Sequence, residues 1–248
     1  MTDKRVPVLL HVPKTGGTAF TRFLEQSYGG QCIKGWEPAV TKRLKAVDGN
    51  TSAVIVRGGV PDVLGWEHEG KKFVPIVILR NPIDRALSQY YQYSRGTHVA
   101  KKFGMKSGMS LDQFLVDKSG RTMIEDYQLR SLILPFRYIL EKYVDHWKFC
   151  RFRTSRQTPK TRAMMLEKAN DVLRCCIVGI TEKLYCLRRE VIDSFNIRNP
   201  APLTVQNVSE NRIKRSHLTK SQLSTIQSLT TLDQQLYDTL RSAWPYAG

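Results

Sequence analysis

The sequence predicts an α/β fold, in which a parallel sheet is flanked by helices and the middle and C-terminal parts are helical. Short apolar runs at residues 6–12, 75–79 and 175–180 are typical of buried strands, and each leads into a helix-forming segment. A further strand is predicted at residues 53–57. Strands that alternate with helices favour a parallel sheet, whose ligands bind at the carboxyl ends of the strands.

Length and composition allow a substantial core. The chain has 248 residues, of which 41% are hydrophobic, and we expect a single domain over residues 1–248. Residues 148–162 are dense in Arg and Lys, which predicts an exposed loop or a turn into the next helix. Apolar spacing and capping residues predict helices at residues 19–28, from residue 82 onward, and at residues 110–118 (with Ser110 as N-cap), 123–143, 184–195 and 220–244.

The junction between the first strand and the first helix has the features of an anion site. It reads Pro-Lys-Thr-Gly-Gly-Thr, from Pro13 to Thr18. The first amides of a helix have no intrahelical acceptor and the helix dipole attracts negative charge, while the lysine adds a cation and the threonines add hydroxyls. Because the lysine precedes the glycines, this is not a Walker A loop, and ATP or GTP hydrolysis is not favoured. The loop is predicted to bind a phosphate-like group.

A second strand-to-helix junction carries an arginine. The strand at residues 75–79 ends at Arg80, an Asn-Pro pair begins a helix, and Ser88 follows just over two turns along it. A guanidinium matches phosphate oxygens with its planar fork and keeps its charge at every relevant pH. Arg80 and Ser88 can reach one ligand group only if the chain folds around it. Arg85, on the same helix, is expected to be a helix-surface or ion-pair residue.

Together, the two junctions resemble those of sulfotransferases that use 3′-phosphoadenosine 5′-phosphosulfate (PAPS), and the nearest similarity is to the heparan sulfate 6-O- and 2-O-sulfotransferase branch. In these enzymes the first loop binds the 5′-phosphosulfate, and the pattern Arg-x-Pro-x-x-Arg-x-x-Ser after a strand binds the 3′-phosphate. The resemblance implies the P-loop-like sulfotransferase fold. The cofactor-binding residues that it implies at the two junctions are Lys14, Thr15, Gly16, Gly17, Thr18, Ala19, Arg80 and Ser88.

The activity implied by this resemblance is in-line transfer of the sulfuryl group from PAPS to a hydroxyl of a glycan or small-molecule acceptor, with 3′,5′-adenosine bisphosphate as product. A later segment, Val-Gly-Ile-Thr-Glu ending at Glu182, is similar to the late strand of the family. Sulfotransferases often close a basic loop over the nucleotide after this strand. The matching polar segment, residues 207–220, gives Lys214, Arg215 and Ser216 as further cofactor contacts.

Transfer to a hydroxyl needs a base that takes its proton and fixed donors for the charge on the leaving group. Lys14 is placed for the second task. His11 lies three residues earlier, where a neutral imidazole near pH 7 can accept a proton, and 6-O-sulfotransferases carry their proposed base at the matching position. A buried structural role for His11 is the alternative, and Glu67, His68 or His98 would then be the base. Neither the chemistry nor the ligand spacing calls for a metal.

The net charge of +17, from 39 basic and 22 acidic side chains, leaves two other functions open. A basic surface attracts polyanions such as nucleic acid, anionic lipid or acidic glycan, so a protein that binds nucleic acid or heparin-like polymers is one alternative. A P-loop nucleotide kinase is the other, but a Walker A lysine and a magnesium carboxylate are not evident. We expect an acceptor that bears hydroxyls, with no specific nucleic acid partner.

Five cysteines form neither a CxxC pair nor a Cys/His metal spacing, which favours reduced thiols. Cys175 and Cys176 are expected in the core of the late strand. No apolar run approaches the ~20 residues that cross a bilayer, and the first residues have no signal pattern. We therefore expect a cytoplasmic protein without a membrane partner, or a trimmed form of a Golgi-type enzyme.

Overall fold

The structure is a computed structural model that describes residues 4–36, 52–57, 63–96, 106–134, 153–204 and 213–243. Six strands form one sheet in the described part of the chain. They are β1 (Lys4–Leu10), β2 (Cys32–Trp36), β3 (Ala53–Arg57), β4 (Glu67–His68), β5 (Lys71–Leu79) and β6 (Ile177–Ile180).

Helices surround this sheet. The described α-helices are α1 (Gly17–Tyr28), α2 (Pro82–Ser94), α3 (Leu111–Val116), α4 (Lys118–Ile124), α5 (Tyr127–Ile133), α6 (Pro159–Arg174), α7 (Leu184–Phe195), α8 (Lys220–Leu229) and α9 (Thr231–Ala243). Short 3₁₀ turns lie at Gly29–Gln31, Thr154–Arg156, Thr181–Lys183 and Arg215–His217. The predicted α/β class, with a helical middle and C-terminal part, is confirmed.

Five of the strands are parallel, in the order β2–β3–β1–β5–β6, and β4 pairs antiparallel with the first residues of β5. After β1 the chain passes through α1 to β2 on one side, whereas after β5 it proceeds to β6 on the other side. The connections therefore diverge between β1 and β5. In open α/β sheets, ligands bind in the crevice at such a point.

Alternating strand residues face two apolar layers. Leu9, Ile76 and Ile78 pack with α1 and α7 on one face of the sheet. Leu10 and Val77, with their same-face neighbours, pack with the larger helical layer on the other face. Both faces of the parallel strands are buried, which explains why these strands read as continuous apolar runs rather than as an alternating pattern.

Two predicted long helices are wrong, because each is interrupted. The helix expected at residues 123–143 is divided between α4 and α5, and its part beyond residue 134 lies outside the described residues. The helix expected at residues 220–244 is divided between α8 and α9, and residue 244 lies outside the described residues. The two breaks meet: the Asp126 amide donates to the Leu229 carbonyl (2.9 Å), and the Asp126 carboxylate accepts from the amides of Leu232 and Asp233. Long-range hydrogen bonds replace the intrahelical ones at both positions.

Other departures from the sequence predictions have local causes. The basic segment at residues 148–162 is not fully exposed where it is described, since Arg153 is buried and pairs with Glu125. Cys175 is exposed at the end of α6, and the Cys176 thiol is half-buried and donates to a helix carbonyl, so β6 begins only at residue 177. Strands β2 and β4 were not predicted. A Lys-Gly pair inside β2 and the two-residue length of β4 give weak strand signals.

Candidate active site

The loop between β1 and α1 turns through two residues with left-handed backbone, Lys14 at φ 71° and Gly16 at φ 84°. Left-handed backbone is uncommon for a residue with a side chain, and such outliers are concentrated at functional sites. Thr15, between them, is fully buried, and its hydroxyl donates to the Val12 carbonyl at 2.9 Å. The Thr15 hydroxyl hydrogen is therefore used inside the loop, contrary to its predicted contact with a ligand.

Both glycines of the loop are held closely by their neighbours. Gly16 is the N-cap of α1, no side chain caps the helix, and a Cβ at Gly16 would lie 2.9 Å from Leu184 Cδ1. A Cβ at Gly17 would lie 3.1 Å from His11 Nδ1. The His11 ring therefore lies against the first residue of α1. Because the N-cap Gly16 has no side chain to cap the helix, the Gly17 and Thr18 amides keep the arrangement that the predicted anion site needs.

Thr18 and Ala19 differ in what they offer. Thr18 is exposed, so its hydroxyl can reach a ligand at the helix start. Ala19 is buried, and its amide donates to the Gly16 carbonyl at 3.1 Å. Of the predicted anion donors, the Gly17 amide, the Thr18 amide and the Thr18 hydroxyl keep the arrangement that the prediction needs, whereas the Ala19 amide is already used within the helix.

Arg80 joins the second junction to the first. It is the residue after β5, and its Nη1 donates to the Lys14 carbonyl at 3.1 Å, although 66 positions separate the two residues. Its main chain is held by Gln128, whose Oε1 accepts from the Arg80 amide at 2.8 Å and whose Nε2 donates to the Arg80 carbonyl at 3.0 Å. The structure thus brings together two loops that the sequence treated separately.

Thr181, which follows β6, ties the same loops together from a third strand. Its hydroxyl lies 2.8 Å from the Thr15 carbonyl oxygen and 3.1 Å from that of Leu79. The next residue, Glu182, accepts from the Asn81 amide at 3.3 Å. Thr181, Glu182 and Gln128 were not predicted as site residues, because each acts on backbone groups far away in sequence and no local pattern marks that role.

Helix α2 begins as its sequence predicts. Asn81 is the N-cap and accepts from two first-turn amides, and Pro82 occupies the first helical position. Ser88 is buried on this helix.

Arg85 is also fully buried rather than on the surface: its Nη2 donates to the Met123 carbonyl at 2.7 Å, and its guanidinium lies 4.8 Å from the centre of the Tyr127 ring. Arg85 therefore ties α2 to the segment that carries Gln128.

A polar cleft of about 480 Å³ lies beside the start of α2 and includes one of the three predicted C-terminal contacts. Lys214, Arg215 and Ser216 are all exposed at the Arg215–His217 turn. Of these three, Arg215 lines the cleft, together with Asn81 and Ile83 from the start of α2 and residues of α8 and α9. The predicted third segment therefore lies beside the Arg80 junction, with Arg215 as the residue directed there.

The alternative bases are not all near these loops. Glu67 and His68 form β4, which pairs with Lys72 and Lys71 at the amino end of β5. Arg80 follows the opposite end of that strand, roughly 25 Å away at about 3.3 Å per residue. The structure therefore separates Glu67 and His68 from the candidate site, while His98 lies outside the described residues.

The described residues include no group of three or more His, Cys, Asp or Glu side chains that could hold a metal ion. Within the same part of the chain, no helix combines the length and the apolar character needed to cross a membrane.

A parallel sheet whose switch point is lined by a glycine-containing loop and a strand-end arginine places the chain in the open α/β class, whose ligands bind at such points. Comparison with protein families narrows this class: the sequence model described as "Sulfotransferase family" matches residues 1–242. The chain belongs to the sulfotransferase family. Comparison with individual curated proteins gave no match.

Proposed function

We propose that this sulfotransferase is a PAPS-dependent O-sulfotransferase whose donor lies between the β1–α1 loop and Arg80. The observation that carries the proposal is the contact of the Arg80 guanidinium with the Lys14 carbonyl. It makes one continuous site of two junctions, one suited to a 5′-phosphosulfate and the other to a 3′-phosphate. When bound, PAPS supplies the activated sulfuryl group, and the chain supplies positioning, charge and a base.

The residues present fit such a donor. The uncapped first turn of α1 offers amides to an anion, and Gly17 leaves a space in which a methyl group would press on His11. Lys14 and Arg80 provide two cations where the two loops meet, and Arg215 lines a cleft that begins at Asn81, the residue after Arg80, on a chain with a net charge of +17. A nucleotide that carries phosphates on both the 3′ and the 5′ oxygen of its ribose needs cationic groups at two positions, and the two joined junctions provide them.

At the 5′ end, Lys14 and the amides of Gly17 and Thr18 stabilise the negative charge that grows on the leaving phosphate. These donors are preorganised, because the Thr15 hydroxyl donates to the Val12 carbonyl within the loop and the Thr181 hydroxyl donates to the Thr15 carbonyl. The Thr18 hydroxyl adds a donor at the helix start. At the 3′ end, Arg80 binds the phosphate, with Ser88 and Arg215 as additional contacts.

His11 acts as the base in this proposal. Its ring lies against Gly17, at the same helix terminus that binds the phosphosulfate, so it can accept a proton from an acceptor hydroxyl beside the transferred group. The acceptor belongs to the glycan or small-molecule class. An acidic glycan, as in the heparan sulfate branch, agrees with the basic charge of the chain.

A thermal-shift experiment with separate ligands tests the donor site. We expect 3′,5′-adenosine bisphosphate near 100 times its Kd to raise the Tm by roughly 5–10 °C, and ATP to raise it much less. The variants Lys14→Ala and Arg80→Ala should lose this shift but keep the fold. Arg174→Ala is the matched control, since Arg174 is exposed at the end of α6 and pairs with Asp171 on the same helix.

The other two functions predict different results. A shift with heparin alone, lost at high salt, would favour the polyanion-binding protein. A shift with ATP alone would favour a kinase. An unaltered response to adenosine bisphosphate in both the Lys14→Ala and the Arg80→Ala variant would remove the proposed site.

A further inference from the structure

Gln128 forms an unusual pair with the main chain of Arg80. It is buried, and its side-chain amide both accepts from the Arg80 amide (2.8 Å) and donates to the Arg80 carbonyl (3.0 Å). Arg80 is the first residue after β5, and the last residue pair of the parallel ladder is Leu79 with Ile180. Directly beyond the last residue pair of the ladder, the Gln128 side chain thus makes the two main-chain hydrogen bonds that a neighbouring strand would otherwise make with Arg80.

Gln128 is itself held by two helices that cap each other. The Asp233 carboxylate, on α9, accepts from the amides of Gln128 (3.1 Å) and Leu129 (2.8 Å) in the first turn of α5. In return, the Asp126 carboxylate, at the start of α5, accepts from two amides in the first turn of α9. Side-chain oxygens that accept from first-turn amides cap a helix, so each helix fixes the start of the other. The position of Gln128 is therefore determined by α5 and α9 together.

We propose that Gln128 is a positioning residue for Arg80, and that it sets the direction from which the guanidinium reaches the 3′-phosphate. The inference rests on the proposed function. With both Arg80 peptide groups fixed, the side chain starts from one orientation and its Nη1 meets the Lys14 carbonyl. Without the two hydrogen bonds from Gln128, the Arg80 backbone is more mobile, and ordering it on binding lowers the affinity for the nucleotide.

The test is a double-mutant cycle on nucleotide affinity. Gln128→Met keeps the length of the side chain but removes both hydrogen bonds. Isothermal titration measures the Kd of 3′,5′-adenosine bisphosphate for the wild type, Gln128→Met, Arg80→Ala and the double variant. Adenosine 5′-monophosphate, which lacks the 3′-phosphate, is the second probe. Ser131→Ala is the control, because it removes one buried hydrogen bond from the same helix without touching Arg80.

We expect Gln128→Met to raise the Kd of 3′,5′-adenosine bisphosphate about tenfold and the Kd of adenosine 5′-monophosphate very little. In the Arg80→Ala background, Gln128→Met should have almost no further effect, because the group through which it acts is gone. Ser131→Ala should leave both affinities unchanged. If Gln128→Met does not fold, Gln128→Glu, which keeps the size and the acceptor but not the amide donor, takes its place with the same readouts.

Two results would overturn the inference alone: additive losses in the double variant, or equal losses for both nucleotides. Either one shows that Gln128 supports the fold and does not act through Arg80. An Arg80→Ala variant that binds adenosine bisphosphate as tightly as the wild type would instead contradict the proposed function. The two failures are therefore distinguishable.

Discussion

Replacing Gly17 by alanine tests the arrangement of His11 on the first turn of α1. The new Cβ would lie 3.1 Å from His11 Nδ1 and 3.2 Å from its Cε1 and Cγ, whereas unstrained contacts are about 3.5–4.0 Å. The ring must therefore move by a few tenths of an ångström. Because Gly17 has no positive φ, alanine also gains about 0.4–1 kcal/mol from the unfolded state, and the net change in stability should stay within about 1 kcal/mol.

The effect on catalysis should be larger than the effect on stability. A displacement of about 1 Å at a catalytic group costs on the order of 10²-fold, so a shift of half that size should lower kcat about tenfold. Transfer is measured with radiolabelled PAPS and the best acceptor from a screen of hydroxylated compounds, and stability by denaturant unfolding. Gln26→Ala, an exposed change on the same helix, is the control. Wild-type kcat in Gly17→Ala, or a loss of more than about 3 kcal/mol of stability, would refute this reasoning.

Three further predictions concern His11, Gly16 and Asp233. His11→Ala should lower kcat on the order of 10²-fold with the Kd of adenosine bisphosphate unchanged; near-wild-type turnover would show that another group is the base. Gly16→Ala should cost about 2–4 kcal/mol in urea unfolding, because a left-handed φ and a 2.9 Å contact with Leu184 combine; a cost below about 1 kcal/mol would contradict this account of the contact. Burial, together with the nearby Asp126 carboxylate, raises the pKa of Asp233 to about 7, so the folded state holds this proton more tightly than the unfolded state. The stability that Asp233 contributes is therefore complete below about pH 4 and is lost as the pH rises to about 7. Over that range, the free energy of unfolding of the wild type relative to that of Asp233→Asn should fall by at most about 1.4 kcal/mol per pH unit. A rise of this difference with pH would contradict the raised pKa.

Much of the fold follows from local patterns in the sequence. The strands β1, β3 and β5 are apolar runs, β1 and β5 stop at helix-starting residues, and Asn81 caps α2 as its sequence suggests. The two helix breaks could not be predicted in this way, because they depend on reciprocal capping between residues about 100 positions apart. The leucine stripe of the C-terminal segment continues across its break, so the periodicity alone indicates one helix.

The candidate site shows the same division between local and long-range information. Lys14 and Arg80 stand in local patterns that point to phosphate, so the sequence alone makes them candidate site residues. Gln128 and Thr181 contribute through hydrogen bonds with main-chain groups of those loops. Many polar residues could make such hydrogen bonds, so no sequence pattern distinguishes these two positions. Arg85 was expected on the helix surface or in an ion pair, because an arginine in a helix is usually exposed. It is instead buried, where the Met123 carbonyl accepts a hydrogen bond and Tyr127 provides an aromatic face.

The central claim is that one nucleotide spans the β1–α1 loop and the end of β5. A crystal structure of the protein soaked in 3′,5′-adenosine bisphosphate measures this directly. The account predicts the 5′-phosphate at the first-turn amides of α1 beside Lys14, and the 3′-phosphate on the Arg80 guanidinium. A nucleotide bound anywhere else on the protein, or bound with only one of these two contacts, would contradict it.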